Sequence, residues 1–150
     1  DRTPYALDSR SDVKVLLAEP SYLDEIAQLH HQAFSDPEET LDVSRRYITE
    51  ALKDSDGLLY ILLKEAQVIG VCTVDLSGNN NYLYGLAVAE AYRGQGYGSY
   101  LAKSVVNQLI AQNDKSFQIA VEDSNIGAKR LYEKIGFVTQ TQVVYLKPKE

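Results

Sequence analysis

Residues 82–122 constrain the fold more than any other stretch of the chain. An apolar run at 82–89 leads into a turn with glycines at 94, 96 and 98. A helical stretch at 97–112 follows, and then a second strand-like run at 116–122. Tyr97, Leu101, Val105 and Leu109 recur every four residues, so one face of that helix is apolar. Two strands joined through a helix pair in parallel. A second unit of the same kind follows, with a helix at 125–135 capped by Asn125 and stopped by Gly136, then a strand at 137–147. Upstream, the runs at 58–64 and 67–76 are separated only by Glu65-Ala66, which predicts an antiparallel hairpin. The expected class is therefore α/β, with an α+β mixed sheet.

The remaining elements complete the order β-α-α-β-β-β-α-β-α-β. A strand is expected at 13–19. A helix at 21–34 has Ser21 as its N-cap and an apolar stripe through Leu23, Ile26, Ala27, Leu29, His30, Ala33 and Phe34. A second helix places Val43, Tyr47, Ile48 and Leu52 on one face and ends at Gly57. Gly85, inside the run at 82–89, predicts a bulge or a close backbone approach. Residues 1–11 are polar and aperiodic and read as a linker or leftover segment, leaving 12–150 as a single domain.

Composition narrows the function. The chain of 150 residues is 45% hydrophobic and carries a net charge of −6 without a basic block, which argues against nucleic acid as a partner. No apolar run reaches the roughly 20 residues of a membrane span. Cys72 is the single cysteine, which excludes an internal disulfide and a multi-cysteine metal site and points to a reducing, cytoplasmic setting. The absence of methionine reads as processing, or as a piece of something longer.

The glycine segment asks for a ligand. A helix opening near Gly96 presents backbone N–H groups without intrahelical partners, at the positive end of its dipole. Glycines at 94, 96 and 98 let an anion approach those donors, and Arg93 adds a charge at the rim. The spacing fits neither a Walker loop nor the dinucleotide fingerprint, whose third glycine would fall at Ser99. What remains is Arg-x-x-Gly-x-Gly, read at Arg93, Gly96 and Gly98. A second block lies downstream, with Asn125, Ala128, Leu131, Tyr132, Gly136 and Phe137 in the pattern Asn-x-x-Ala-x-x-Leu-Tyr-x-x-x-Gly-Phe.

The paired blocks and the element order resemble the GCN5-related N-acetyltransferase (GNAT) superfamily over residues 12–147. The resemblance implies the GNAT-like acyl-CoA N-acyltransferase fold, with acetyl-CoA as cosubstrate and no metal. It also implies transfer of an acetyl group to a primary amine, on a small molecule or a peptide, by direct attack in a ternary complex. By the same resemblance the backbone of Leu86, Ala87 and Val88 holds the pantetheine arm. The pyrophosphate falls on Gly94, Gln95, Gly96, Tyr97, Gly98 and Ser99, with Arg93 at its edge. Asn125 touches the coenzyme arm, and Tyr132 is the general acid toward the departing thiolate. A phenol with pKa of about 10 is protonated at neutral pH and suits that role, but Tyr132 also lies on the core stripe Ala128–Leu131–Ile135.

The general base stays open. The position where relatives in the histone-modifying branch carry a glutamate is Tyr82. Asp75, Glu90, Glu122 and Asp123 are alternatives near strand ends, each also readable as a surface charge. His30 falls on an apolar stripe and reads as packed, and Cys72 lacks an activating neighbour in sequence. The short tail after Phe137 suggests an acceptor site that is more open, or one completed by another domain or subunit, in a homodimer or a tandem protein. The competing function is an acyl-CoA-binding sensor or interaction module without turnover. A nucleotide-binding protein unrelated to CoA is the third reading.

Overall fold

The computed structural model describes residues 4–7, 12–121 and 126–137. Its elements run β1 (Val13–Leu17), a 3-10 turn (Pro20–Tyr22), α1 (Leu23–Phe34), α2 (Leu41–Lys53), β2 (Gly57–Lys64), β3 (Gln67–Asp75) and β4 (Asn80–Val88). A 3-10 turn (Glu90–Tyr92), α3 (Tyr97–Gln112), β5 (Ser116–Ile119) and α4 (Ile126–Lys134) follow. The expected order is borne out through α4; the strand expected at 137–147 falls, beyond Phe137, outside the described residues.

The sheet runs β1-β2-β3-β4-β5. The first three pairings are antiparallel. β4 and β5 are parallel, as the crossover through α3 requires. Helices cover both faces, which is why β2 and β3 read as nearly continuous apolar runs. On one face Ile26, Ala27 and Leu29 of α1 and Ile48 of α2 pack on Leu59, Ile61, Val68, Val71 and Ala87. On the other, Leu101, Val105 and Leu109 of α3 pack with Tyr132 and Ile135 on Tyr60, Leu62, Ile69, Cys72, Val74 and Leu83.

Three local expectations are corrected. Ser21 is not an N-cap: Pro20 opens a 3-10 turn containing Ser21, and α1 starts at Leu23 without a side-chain cap. Gly57 does not close α2, which ends at Lys53; Gly57 begins β2, opposite Asp75. Val43 and Tyr47 are 39% and 42% exposed, whereas Ser44 and Ile48 are the buried residues of α2. Tyr5, within the segment expected to be a linker, is packed against the α3–α4 core and bonded to Asn107 and Ile135.

Candidate active site

The site is organised by a bulge in β4. Val71 pairs with Ala87 and Thr73 with Tyr84, so β4 carries one more residue than β3 over this interval. Gly85 takes φ +66° there, a left-handed conformation that favours glycine. The extra residue switches the alternation of faces. Leu83 belongs to the α3–α4 core before the bulge; after it, Leu86 and Val88 lie on that side and Ala87 packs toward α1.

At the same place β4 and β5 part. Their register ends at Leu83 opposite Ile119, with one further bond from the Ala120 N–H to the Leu83 carbonyl. β4 continues to Val88, pairing only with β3 among the described residues. The main chain of Leu86, Ala87 and Val88 therefore lies past the point where the two strands separate.

The glycine segment follows directly. Gly94 and Gly96 take φ +76° and +87°, so both positions need glycine for conformation. Gly96 is the N-cap of α3 and makes no side-chain cap hydrogen bond. The first turn of α3 contains no acidic residue, whereas α1 has Asp24 and Glu25 there and α2 has Asp42. In a chain with 21 acidic residues, the α3 end keeps its positive potential uncompensated. Arg93, Gly94, Gln95 and Gly96 are exposed, so an anion has access to this end.

Gly98 has a different reason from its neighbours. A Cβ there would sit 2.8 Å from Leu131 Cδ1 and 3.5 Å from Val88 Cγ2. Its missing side chain admits the Leu131 side chain of α4 and the end of β4, a packing reason that stands beside the expected one. Tyr97 is buried, and its hydroxyl lies 3.3 Å from Asp12 Oδ2, just before β1. Arg93 donates from Nε to the Val88 carbonyl at 2.9 Å, tying the loop to the end of β4. Gln95 donates to the Ala91 carbonyl at 3.2 Å.

Tyr132 is 4% exposed and stands in the α3–α4 core. Burial first, and then the Cys72 thiol, hold its phenol well above the ordinary value of 10. Cys72 sits on β3 between the residues that bracket the bulge. The geometry of α4 explains the spacing of the downstream block. The Phe137 N–H bonds to the Tyr132 carbonyl at 3.0 Å and the Gly136 N–H to the Glu133 carbonyl at 3.1 Å. This is a Schellman cap, with Gly136 at φ +113° and an apolar pair closing it. That pair is Tyr132 with Phe137, edge to face at 6.2 Å. Asn125 lies outside the described residues.

The opposite side of the bulge is aromatic. Tyr84 and Tyr47 interact through their side chains, and His30 stacks on Tyr47 at 4.6 Å and tilts against Phe34 at 5.0 Å. His30 Nδ1 lies 3.3 Å from Ser44 Oγ, and burial lowers its pKa, which fits a packed histidine. Sequence reading missed the Tyr47–Tyr84 pair, because nothing local in either element signals the contact. Among the base candidates, Asp75 is buried and accepts from the Ser77 N–H and hydroxyl at 2.9 and 2.7 Å. Tyr82, across the ladder from Asp75, is pushed up to about 12 by burial and by that carboxylate, so it is no base near neutrality. Glu90 is exposed, and Glu122 and Asp123 lie outside the described residues. Burial pushes the Cys72 thiol up to about 12, which removes it as a nucleophile. Among the described residues no group of three or more metal-ligating side chains comes together, and no helix is long and apolar enough to cross a membrane.

A splayed mixed sheet with a β4 bulge, followed by a glycine loop on a helix end, defines an acyl-coenzyme-type transferase scaffold. The sequence model of the acetyltransferase (GNAT) family matches residues 23–137, and the chain belongs to that family. It is 30% identical over 89 residues to the ribosomal protein bS18-alanine N-acetyltransferase of Haemophilus ducreyi, covering 57% of this chain and 61% of that protein. The match thus spans about three fifths of the relative's length. Among solved structures, the ribosomal-protein-S18-alanine N-acetyltransferase from Escherichia coli superposes with a TM-score of 0.73 at 19% identity, covering 86% of this chain and 79% of that one. The aminoglycoside N-acetyltransferase AAC(6')-Iy, in complex with CoA, gives 0.75 at 15% identity, covering 95% and 98%. At these identities the structural likeness shows the fold.

Proposed function

We propose that this protein transfers an acetyl group from acetyl-CoA to a primary amine, by direct attack within a ternary complex. The observation that carries the reading is the continuity of bulge, strand separation and uncapped α3 end along one edge of the sheet. The amides of Gly94 to Ser99 receive the pyrophosphate, with Arg93 beside them, and the main chain of Leu86, Ala87 and Val88 holds the pantetheine arm. Asn125 is assigned to the arm by motif alone.

The amine must be neutral when it attacks, and the thiolate must be protonated as it leaves. Tyr132 supplies that proton: a buried phenol held above its usual pKa is fully protonated at neutral pH. The carbon–nitrogen bond forms and the carbon–sulfur bond breaks, the amine nitrogen releasing a proton to water while the thiolate takes one from Tyr132, with no acyl-cysteine step, in keeping with the inert Cys72. The acceptor approaches from the Tyr47–Tyr84 side, where Asp54, Asp75 and Glu39 bias the field toward a cationic amine, on a small molecule or a peptide.

Thiol release from acetyl-CoA across a panel of amines tests the reading. Tyr132→Phe is expected to lower kcat by about 10² to 10⁴, the span of a lost acid–base group, with little change in the KM for acetyl-CoA. Wild-type rates in Tyr132→Phe would remove the assigned acid. Absence of thiol release with every amine would remove the activity.

A further inference from the structure

The helix that carries Tyr132 has a second cap, supplied from the far end of the chain. The Schellman bonds of α4 use the Tyr132 and Glu133 carbonyls, and the Ile135 N–H bonds to the Leu131 carbonyl at 3.2 Å. The Ile135 carbonyl is taken by the Tyr5 hydroxyl, which donates to it at 2.6 Å. Tyr5 is itself held by α3. Its N–H donates to Asn107 Oδ1 at 2.7 Å, and Asn107 Nδ2 donates to its carbonyl at 3.0 Å. Lys103 Nζ, one helical turn before Asn107, lies 5.8 Å from the centre of the Tyr5 ring.

Tyr5 therefore bridges two helices that otherwise meet through side-chain packing at Leu131 and Gly98. One carries the glycine loop at its N-terminus; the other carries Tyr132. Asn107 satisfies both main-chain groups of Tyr5, so this is a fixed register rather than loose contact. Tyr5 lies outside the stretch 23–137 that matches the family, while its partners Asn107 and Ile135 lie within it.

We propose that Tyr5 is a positioning residue that fixes Tyr132 relative to the coenzyme loop on α3. The functional part of this rests on the reading of Tyr132 as proton donor; the mechanical part does not. The hydroxyl closes the α4 cap two residues before Phe137, the ring that packs edge to face on Tyr132. Losing it frees the cap to shift, and the Tyr132 ring moves with Phe137.

The test uses the full chain labelled with ¹³Cζ-tyrosine, with the Tyr132 signal assigned by its loss in Tyr132→Phe. Tyr5→Phe, which removes one oxygen, is expected to shift or broaden that signal, and Asn107→Ala is expected to do the same by releasing the strap. In the acetylation assay, Tyr5→Phe is expected to lower kcat about fivefold to tenfold with the KM for acetyl-CoA unchanged, a modest share of what misplacement costs. It is expected to have no further effect in the Tyr132→Phe background. An unmoved Tyr132 signal in both strap variants overturns the proposal, as does an equal loss of kcat in both backgrounds. A shifted signal in a protein that acetylates no amine upholds the brace and removes the acetyltransferase reading instead.

Discussion

Three glycines that look alike in sequence do different work. Gly94 and Gly96 are required by positive φ, and Gly98 by the approach of Leu131. The glycine pattern was legible because it is local; the reason for Gly98 was not, because Leu131 comes from a helix distant in sequence. The distinction is measurable. Gly98→Ala gains helix propensity of up to about 1 kcal/mol. It also brings the new methyl against Leu131 Cδ1, the far end of a flexible side chain that must shift, which offsets part or all of that gain. In urea unfolding the substitution should therefore stabilise wild type less than it stabilises the Leu131→Ala background, where only the propensity gain of up to about 1 kcal/mol remains. Equal changes in both backgrounds would mean that Leu131 does not constrain position 98. Tyr132 shows the converse. Its place in the core was legible from its helical stripe, and burial keeps its phenol protonated at neutral pH while making it a weaker acid than a free phenol.

At the scale of elements, the hairpin and the crossover were legible because each is a short-range pattern of apolar runs and turn lengths. The bulge was legible from Gly85 alone. The exposed face of α2 was not, since a helical stripe gives direction but not width: Val43 and Tyr47 lie beside Ile48 on the helix, yet only Ile48 is buried. The β2–β3 turn shows a local conflict that the chain tolerates. Glu65 and Ala66 take φ +52° and +67°, the primed-turn geometry that suits Asn-Gly. Each L-residue held in the left-handed region costs about 1 kcal/mol or more. The double substitution Glu65→Asn, Ala66→Gly should therefore raise the unfolding free energy by about 1 kcal/mol without touching activity. A loss of stability would show that the Glu65 or Ala66 side chain makes a compensating contact.

For the whole molecule, the fold was readable because two sequence blocks and an element order had to coexist on one sheet. The aromatic wall at Tyr47, Tyr84 and His30, where we propose that the acceptor enters, was not readable, because it is assembled from α1, α2 and β4 and none of these marks the others. The donor side makes a sharper claim about energy. An acidic protein that leaves the α3 end without a carboxylate should bind the coenzyme chiefly through its anionic part. At a hundredfold excess over Kd, a ligand that binds only the folded state adds about 2.7 kcal/mol. For a chain of this size that corresponds to a rise in Tm of roughly 5 to 10 °C. CoA should produce a shift of that order, pantetheine at the same concentration should produce far less, and the CoA shift should shrink as ionic strength rises. Equal shifts from CoA and pantetheine would place the binding energy in the strand gap beside β4, and the glycine loop would then be a tight turn rather than the anchor for the pyrophosphate.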